Sequence, residues 1–152
     1  MKIEMSRKAL KVIGVLTVVG AVLTMAFGGL VGAGANIESV GAELAKSGIN
    51  STDVAATAGI MVFAGIFLLI EGMIDIKASK DSRFCMAASV LAVLGLVGSL
   101  GQAVTTVADK GFNGSELIGV VISLAINAVI FAAANTLRKA NNDGNVYEAI
   151  YA

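Results

Sequence analysis

Residues 84–108 read FCMAASVLAVLGLVGSLGQAVTTVA, 25 positions without a charge. A helix of about 20 apolar residues crosses the roughly 30 Å hydrocarbon core of a bilayer, so this stretch is long enough to span it. It is apolar all round rather than alternating, which excludes a barrel strand. Within it Cys85, Ala88, Ala92, Gly95, Ser99, Gln102 and Thr106 recur at alternating steps of three and four. That is a heptad seam of small and polar residues, the kind of surface on which helices approach closely in lipid. The opposite side is Val and Leu, suited to lipid or to bulkier neighbours.

Three further runs share the character of this one: Val12–Ala33, Val54–Ile76 (interrupted late by Glu71 and Asp75) and Leu117–Leu137. The chain as a whole is 57% hydrophobic and 14% charged. A soluble domain carries about 25% charged residues, and a water-soluble fold of this size could not hide so much apolar surface. The reading is an all-α integral membrane protein, a four-transmembrane-helix bundle forming one domain over residues 1–152. The start of the chain also resembles a secretory signal, with basic residues, an apolar run and the small-residue triplet Ala33-Gly34-Ala35. A signal core holds only about 7–15 apolar residues. The longer run here is expected to be a retained first span.

Lysine and arginine set the expected orientation. Lys2, Arg7, Lys8 and Lys11 precede the first span, Lys77, Lys80 and Arg83 lie between the second and third, and Arg138 and Lys139 follow the fourth. The other two loops hold one each, Lys46 and Lys110. The positive-inside rule then places both termini and the middle loop in the cytoplasm, with the protein in the cell membrane.

The loop after the first span predicts a short amphipathic helix on the outer side. Asn36 is its expected cap, Ile37, Val40 and Leu44 share a face, and Gly48 can end it. Ser51, Thr52 and Asp53 are expected to cap the second span. The triplets Asn50-Ser51-Thr52 and Asn113-Gly114-Ser115 match a glycosylation pattern but read as turn and cap chemistry so close to the membrane. Asn141–Asn145 predicts a turn and Val146–Ala152 a short docked helix.

The other spans carry seams too. Gly28 and Gly32 form a small-xxx-small pair in the first, Gly65 sits one heptad from Ala58 in the second, and Gly119, Ser123 and Asn127 fall on successive turns of the fourth. With Ala88, Ala92 and Gly95 of the third span, these are the expected packing residues. The plain reading is the inside of one left-handed bundle. A sharper one lets the third-span stripe, through Ser99, Gln102 and Thr106, line a water-filled path in an oligomer.

Glu71 lies inside the second span, about 9 Å from its midplane at 1.5 Å per residue. A carboxylate at a helix centre costs roughly 2.5–3.5 kcal/mol, so such a group is neutral, paired or hydrated. With Asp75 one turn on, Glu71 could hold a proton or a cation. The structural alternative is an ion pair with Lys8, Lys11, Lys77 or Lys80. Asn127, near the middle of the fourth span, and Gln102 are candidates for hydrogen bonds across helices. Cys85 could accept a lipid, although a small packing residue is the simpler role.

The chain has no histidine and a single cysteine, which removes a Ser-His-Asp or Cys-His set, an internal disulfide and the commonest transition-metal ligand. No phosphate-binding glycine loop and no basic cluster of nucleic-acid type occurs. The expectations are therefore no enzyme, no cofactor, no metal and no nucleic acid. The expected partners are the lipid bilayer and either further copies of the chain or another membrane protein. Two functions are open: a homo-oligomeric pore or small transporter, and a non-catalytic accessory or assembly subunit.

Overall fold

A computed structural model describes residues 2–110 and 114–142, with side chains described for all of these except 106–110 and 114–117. All regular structure among them is helical: α1 (Ile3–Ala35), α2 (Glu38–Lys46), α3 (Ser51–Ala78), a 3-10 turn (Ser82–Phe84), α4 (Cys85–Lys110) and α5 (Gly114–Asn142). Four of these helices, α1, α3, α4 and α5, are long and apolar enough to cross a membrane. No proline interrupts them. Of the turn expected at Asn141–Asn145, Asn141 and Asn142 instead continue α5; the remainder, and the helix expected at 146–152, lie outside the described residues.

α1 begins at Ile3, well before the first apolar residue of the span. Charge does not stop this helix, because Lys8 pairs with Glu4 at 2.7 Å across one turn while Ser6 and Leu10 turn inward with no exposed surface. α1 ends where the Asn36 carboxamide donates to the Gly32 carbonyl at 2.7 Å. That corrects the expectation that Asn36 caps α2. The N-cap of α2 is Ile37, which has no side-chain cap, because Asn36 is spent on the orphan carbonyls of the preceding helix. α2 closes on Gly48, whose φ of 73° is the left-handed conformation that glycine adopts without a Cβ clash. Ile49 N–H donates to Leu44 C=O at 2.9 Å and Gly48 N–H to Ala45 C=O at 3.0 Å, the paired bonds of a Schellman end.

α3 is capped by Asn50 rather than by the Ser51–Asp53 run. The Asn50 side-chain oxygen accepts from Thr52 N–H at 3.0 Å, and its backbone oxygen accepts from Val54 N–H at 3.2 Å. Between α3 and α4, Asp81 plays the same part for the 3-10 turn. It accepts from the Arg83 backbone N–H at 3.0 Å and pairs with the Arg83 guanidinium at 2.7 Å. Lys77 Nζ stands 5.3 Å from the centre of the Phe84 ring, a cation–π contact.

The described residues fall into two compact units, Leu16–Gly72 being one and the segments before and after it the other. In the first, α1 and α3 meet on glycine. A side chain begun at Gly28 would stand 3.0 Å from the Ala58 carbonyl oxygen, and one begun at Gly65 would stand 3.0 Å from the Ala21 oxygen. Gly32 faces the Ala58 methyl in the same row. Glycine removes the atoms that would hold the backbones apart, so dispersion contacts replace the missing hydrophobic drive between helices in lipid.

The second unit has its core between α4 and α5. Cys85, Ala88 and Ala92 of α4 are fully buried against Ile130, Ala133, Ala134 and Leu137 of α5, with Leu10 of α1 and Ala78 of α3 completing the cluster. The Cys85 thiol donates to the Ala78 carbonyl at 3.6 Å. Its burial makes it a packing residue and leaves no room for an attached lipid. Large aliphatic residues such as Val97, Leu100, Val121 and Ile122 stay exposed on the outside of the pair. Helices that span a membrane need such a surface.

Candidate functional site

Serine, threonine and asparagine inside an apolar helix must find partners, because hydrocarbon offers none. Most do so within their own turn. Thr24 donates to Gly20 C=O at 2.9 Å, Thr57 to Asp53 C=O at 2.8 Å, and Thr136 to Ala132 C=O at 2.8 Å. Ser99, Ser123 and Asn127 do more, because they meet in the upper part of the α4–α5 seam.

Ser99 Oγ lies 2.7 Å from Ser123 Oγ across the two helices and also donates to Gly95 C=O at 2.8 Å. Asn127 donates through its amide to Ser123 C=O at 2.9 Å and approaches Ser123 Oγ at 3.5 Å. The carboxamide rests in the notch left by Gly95, where a Cβ would stand 2.8 Å from Asn127 Cγ. Its side-chain oxygen is buried with no hydrogen-bond partner among the described residues. Gly95, Ser99, Ser123 and Asn127 thus form one polar cluster. Ser99 and Asn127 are buried, each 7% exposed, and Ser123 is half-buried.

Gln102 parts company with the stripe and is exposed. Its backbone carbonyl accepts from Thr105 Oγ1 at 3.0 Å. An α-helix drifts by about 20° per heptad relative to a strict seven-residue repeat. Over the two and a half heptads from Cys85, that drift turns Gln102 away and brings the neighbouring Ala103 towards the interface. The Thr106 side chain lies outside the described residues.

Glu71 and Asp75 occupy one face of α3, four residues apart, and both are buried, at 7% and 0% exposed. Ion pairs among the described residues include Glu4–Lys8, Glu43–Lys46 and Asp81–Arg83. Lys8 is thereby engaged away from Glu71. Of the acids outside the spans, Asp81 is held below the usual carboxylate range, first by the hydrogen bond from the Arg83 side chain and then by its backbone N–H. Among the described residues, no group of three His, Cys, Asp or Glu side chains comes together in a way that could hold a metal ion.

Reading the sequence alone missed Ser6 and Ser89, both buried. Ser89 sits one turn from Cys85 and from Ala92, so its place beside the seam was open to inspection. What no sequence pattern announces is that the Ser89 hydroxyl finds no hydrogen-bond partner among the described residues.

No protein-family model matches the chain, and neither the search of curated proteins nor that of solved structures finds a significant similarity.

Proposed function

We propose that the chain is a non-catalytic polytopic membrane protein of the cell membrane that works by associating with other membrane helices, as an accessory or assembly subunit. The observation that carries this reading is the 2.7 Å Ser99–Ser123 contact. It turns Ser99 of the α4 stripe onto α5, which favours helix packing over the lining of a water-filled path. Beside the exposed Gln102, aliphatic surface notched by glycine faces outward. A Cβ at Gly98, Gly101 or Gly119 would meet nothing within 4 Å. Such notches let a further helix approach to backbone contact.

In this reading the four long helices form one bundle, with both termini and the 77–83 loop cytoplasmic and α2 outside. The uneven spread of lysine and arginine supports that orientation. The pore or transporter reading keeps one specific support, the buried carboxylates Glu71 and Asp75 inside a span. An intramembrane acid is a functional candidate by default.

Native mass spectrometry of the protein released from nanodiscs, paired with ion and proton flux in proteoliposomes, separates the two. A fixed stoichiometry with a different chain and no flux supports the subunit role. A closed ring of identical copies, with flux that Glu71→Gln abolishes without changing assembly, overturns it in favour of the pore.

A further inference from the structure

Besides the Asn127 side-chain oxygen, the Ser89 hydroxyl is a buried polar group of the α4–α5 unit without a partner among the described residues. Ser89 is 7% exposed and its hydroxyl has no partner among the described residues, unlike Thr24, Thr57, Ser99 and Thr136, which bond their own helix. A buried hydroxyl without a partner costs about 1–3 kcal/mol. Ser89 lines a surface groove of about 380 Å³ between α4 and α5.

The groove has two chemically distinct ends. Its walls are Val90, Val93 and Leu94 of α4 and Phe131 of α5, all exposed. At the other end stand Asn135 and Arg138 of α5, with Met86 and Ser89 of α4 opposite. From Phe131 to Arg138 the helix rises about 10 Å at 1.5 Å per residue. The groove therefore runs from the last turns of the fourth span, at the membrane interface, into the hydrocarbon region. The N-terminal dipole of α4 and the C-terminal dipole of α5 meet at the polar end and offset one another. The sign there is set by the exposed Arg138 guanidinium.

We propose that this groove binds one anionic phospholipid, with the phosphate held by Arg138 and Asn135 at the interface and the upper part of an acyl chain lying along Val90, Val93, Leu94 and Phe131. Charge complementarity and the amphipathic layout commit the groove to this occupant. An apolar helix from another protein would bury Arg138 and Asn135 without satisfying them. A headgroup phosphate carries acceptor oxygens for the guanidinium and the amide together. A basic side chain near an anionic surface contributes enough for about a fivefold change in retention.

The test is native mass spectrometry of the full chain released from nanodiscs of equimolar phosphatidylglycerol and phosphatidylcholine. The unmutated protein is expected to retain one phosphatidylglycerol in preference to phosphatidylcholine. Arg138→Gln is expected to lower that retention about fivefold, whereas Lys139→Gln, next in sequence but outside the groove lining, leaves it unchanged. Val93→Trp, which fills the apolar wall, is expected to remove it. Equal retention of the two lipids by the unmutated protein overturns the proposal without any variant having to fold. Equal losses from Arg138→Gln and Lys139→Gln overturn it as well, since diffuse surface charge would then suffice. Thermal unfolding in detergent distinguishes the source of the phosphate: protection by phosphatidylglycerol but not by inorganic phosphate supports a lipid, and equal protection by inorganic phosphate sinks it.

Discussion

The side chain of Asn127 occupies the space that residue 95 would fill if it were anything but glycine. A Cβ at position 95 would stand 2.8 Å from Asn127 Cγ and 2.9 Å from its amide nitrogen. The two residues come from helices that run in opposite directions, so the contact records the register of the whole α4–α5 pair. Slipping one helix by a turn would press the carboxamide against a methyl or hydroxyl-bearing residue and separate Ser99 from Ser123.

Gly95→Ala should therefore destabilise the pair by about 1–3 kcal/mol, the usual cost of overpacking. Gly98→Ala, three residues on and facing open space, is the matched control. It should be neutral or slightly stabilising, since alanine is the better helix former by up to ~1 kcal/mol. Reversible unfolding in mixed micelles reads both. Indistinguishable midpoints for the two variants would mean that the notch does not hold the carboxamide.

A similar contrast holds between α1 and α3. A Cβ at Gly65 would meet backbone, the Ala21 oxygen at 3.0 Å and the Met25 nitrogen at 3.1 Å, and backbone cannot rotate away. Gly59 on the same helix meets nothing within 4 Å. Gly65→Ala should lower the thermal midpoint in detergent and Gly59→Ala should not. The reverse order would remove the α1–α3 contact from the account.

The Ser99–Ser123 bond is open to a double-mutant cycle. Hydrogen bonds between membrane helices average about 0.6 kcal/mol and reach about 1.7 kcal/mol. Ser99→Ala and Ser123→Ala should cost less together than the sum of their separate effects, by an amount in that range. Strict additivity would show that the hydroxyls are satisfied by their own helices alone.

Asp81 supplies a pH prediction outside the spans. Its folded-state pKa is depressed by Arg83, so its contribution to the 3-10 turn is present above the ordinary carboxylate range and is lost as pH falls through the lowered value. The Asp81 side chain is part-exposed and its partner Arg83 lies at the surface, so the effect is local. Carbon-detected NMR titration should find a midpoint below that of a free aspartate, and Arg83→Gln should move it upwards. A normal midpoint in the unmutated protein would show that the pair does not persist in solution.

Apolar length made the four long helices legible, because a charge-free run such as 84–108 admits few other uses and the run at 54–76 is broken only late, by Glu71 and Asp75. Their ends were less so. Val12 looked like the start of the first span since basic residues precede it, yet Leu10 and Ser6 bury themselves a turn or two earlier and carry the helix back to Ile3. Asn36 and Asn50 are both cap-forming residues beside a helix, and composition does not say which end each will serve. Asn36 took the carbonyls behind it and Asn50 the amides ahead. Counting in heptads placed Gln102 with Ser99, and the mismatch between 3.5 and 3.6 residues per turn separated them. Glu71 and Asp75 stood out at once as acids in an apolar run. The unsatisfied hydroxyl of Ser89 did not, because satisfaction depends on rotamer and neighbours rather than on residue type.

Cys85, the chain's single cysteine, is sealed in the core with its thiol turned to the Ala78 carbonyl. Maleimide and other thiol-directed reagents act on accessible thiolates, so the native chain offers them a silent background. A reporter cysteine placed at Lys46 or at Lys139 would then be the one labelled position and would read its own side of the bilayer, with Cys85 left in place to keep the α4–α5 core intact.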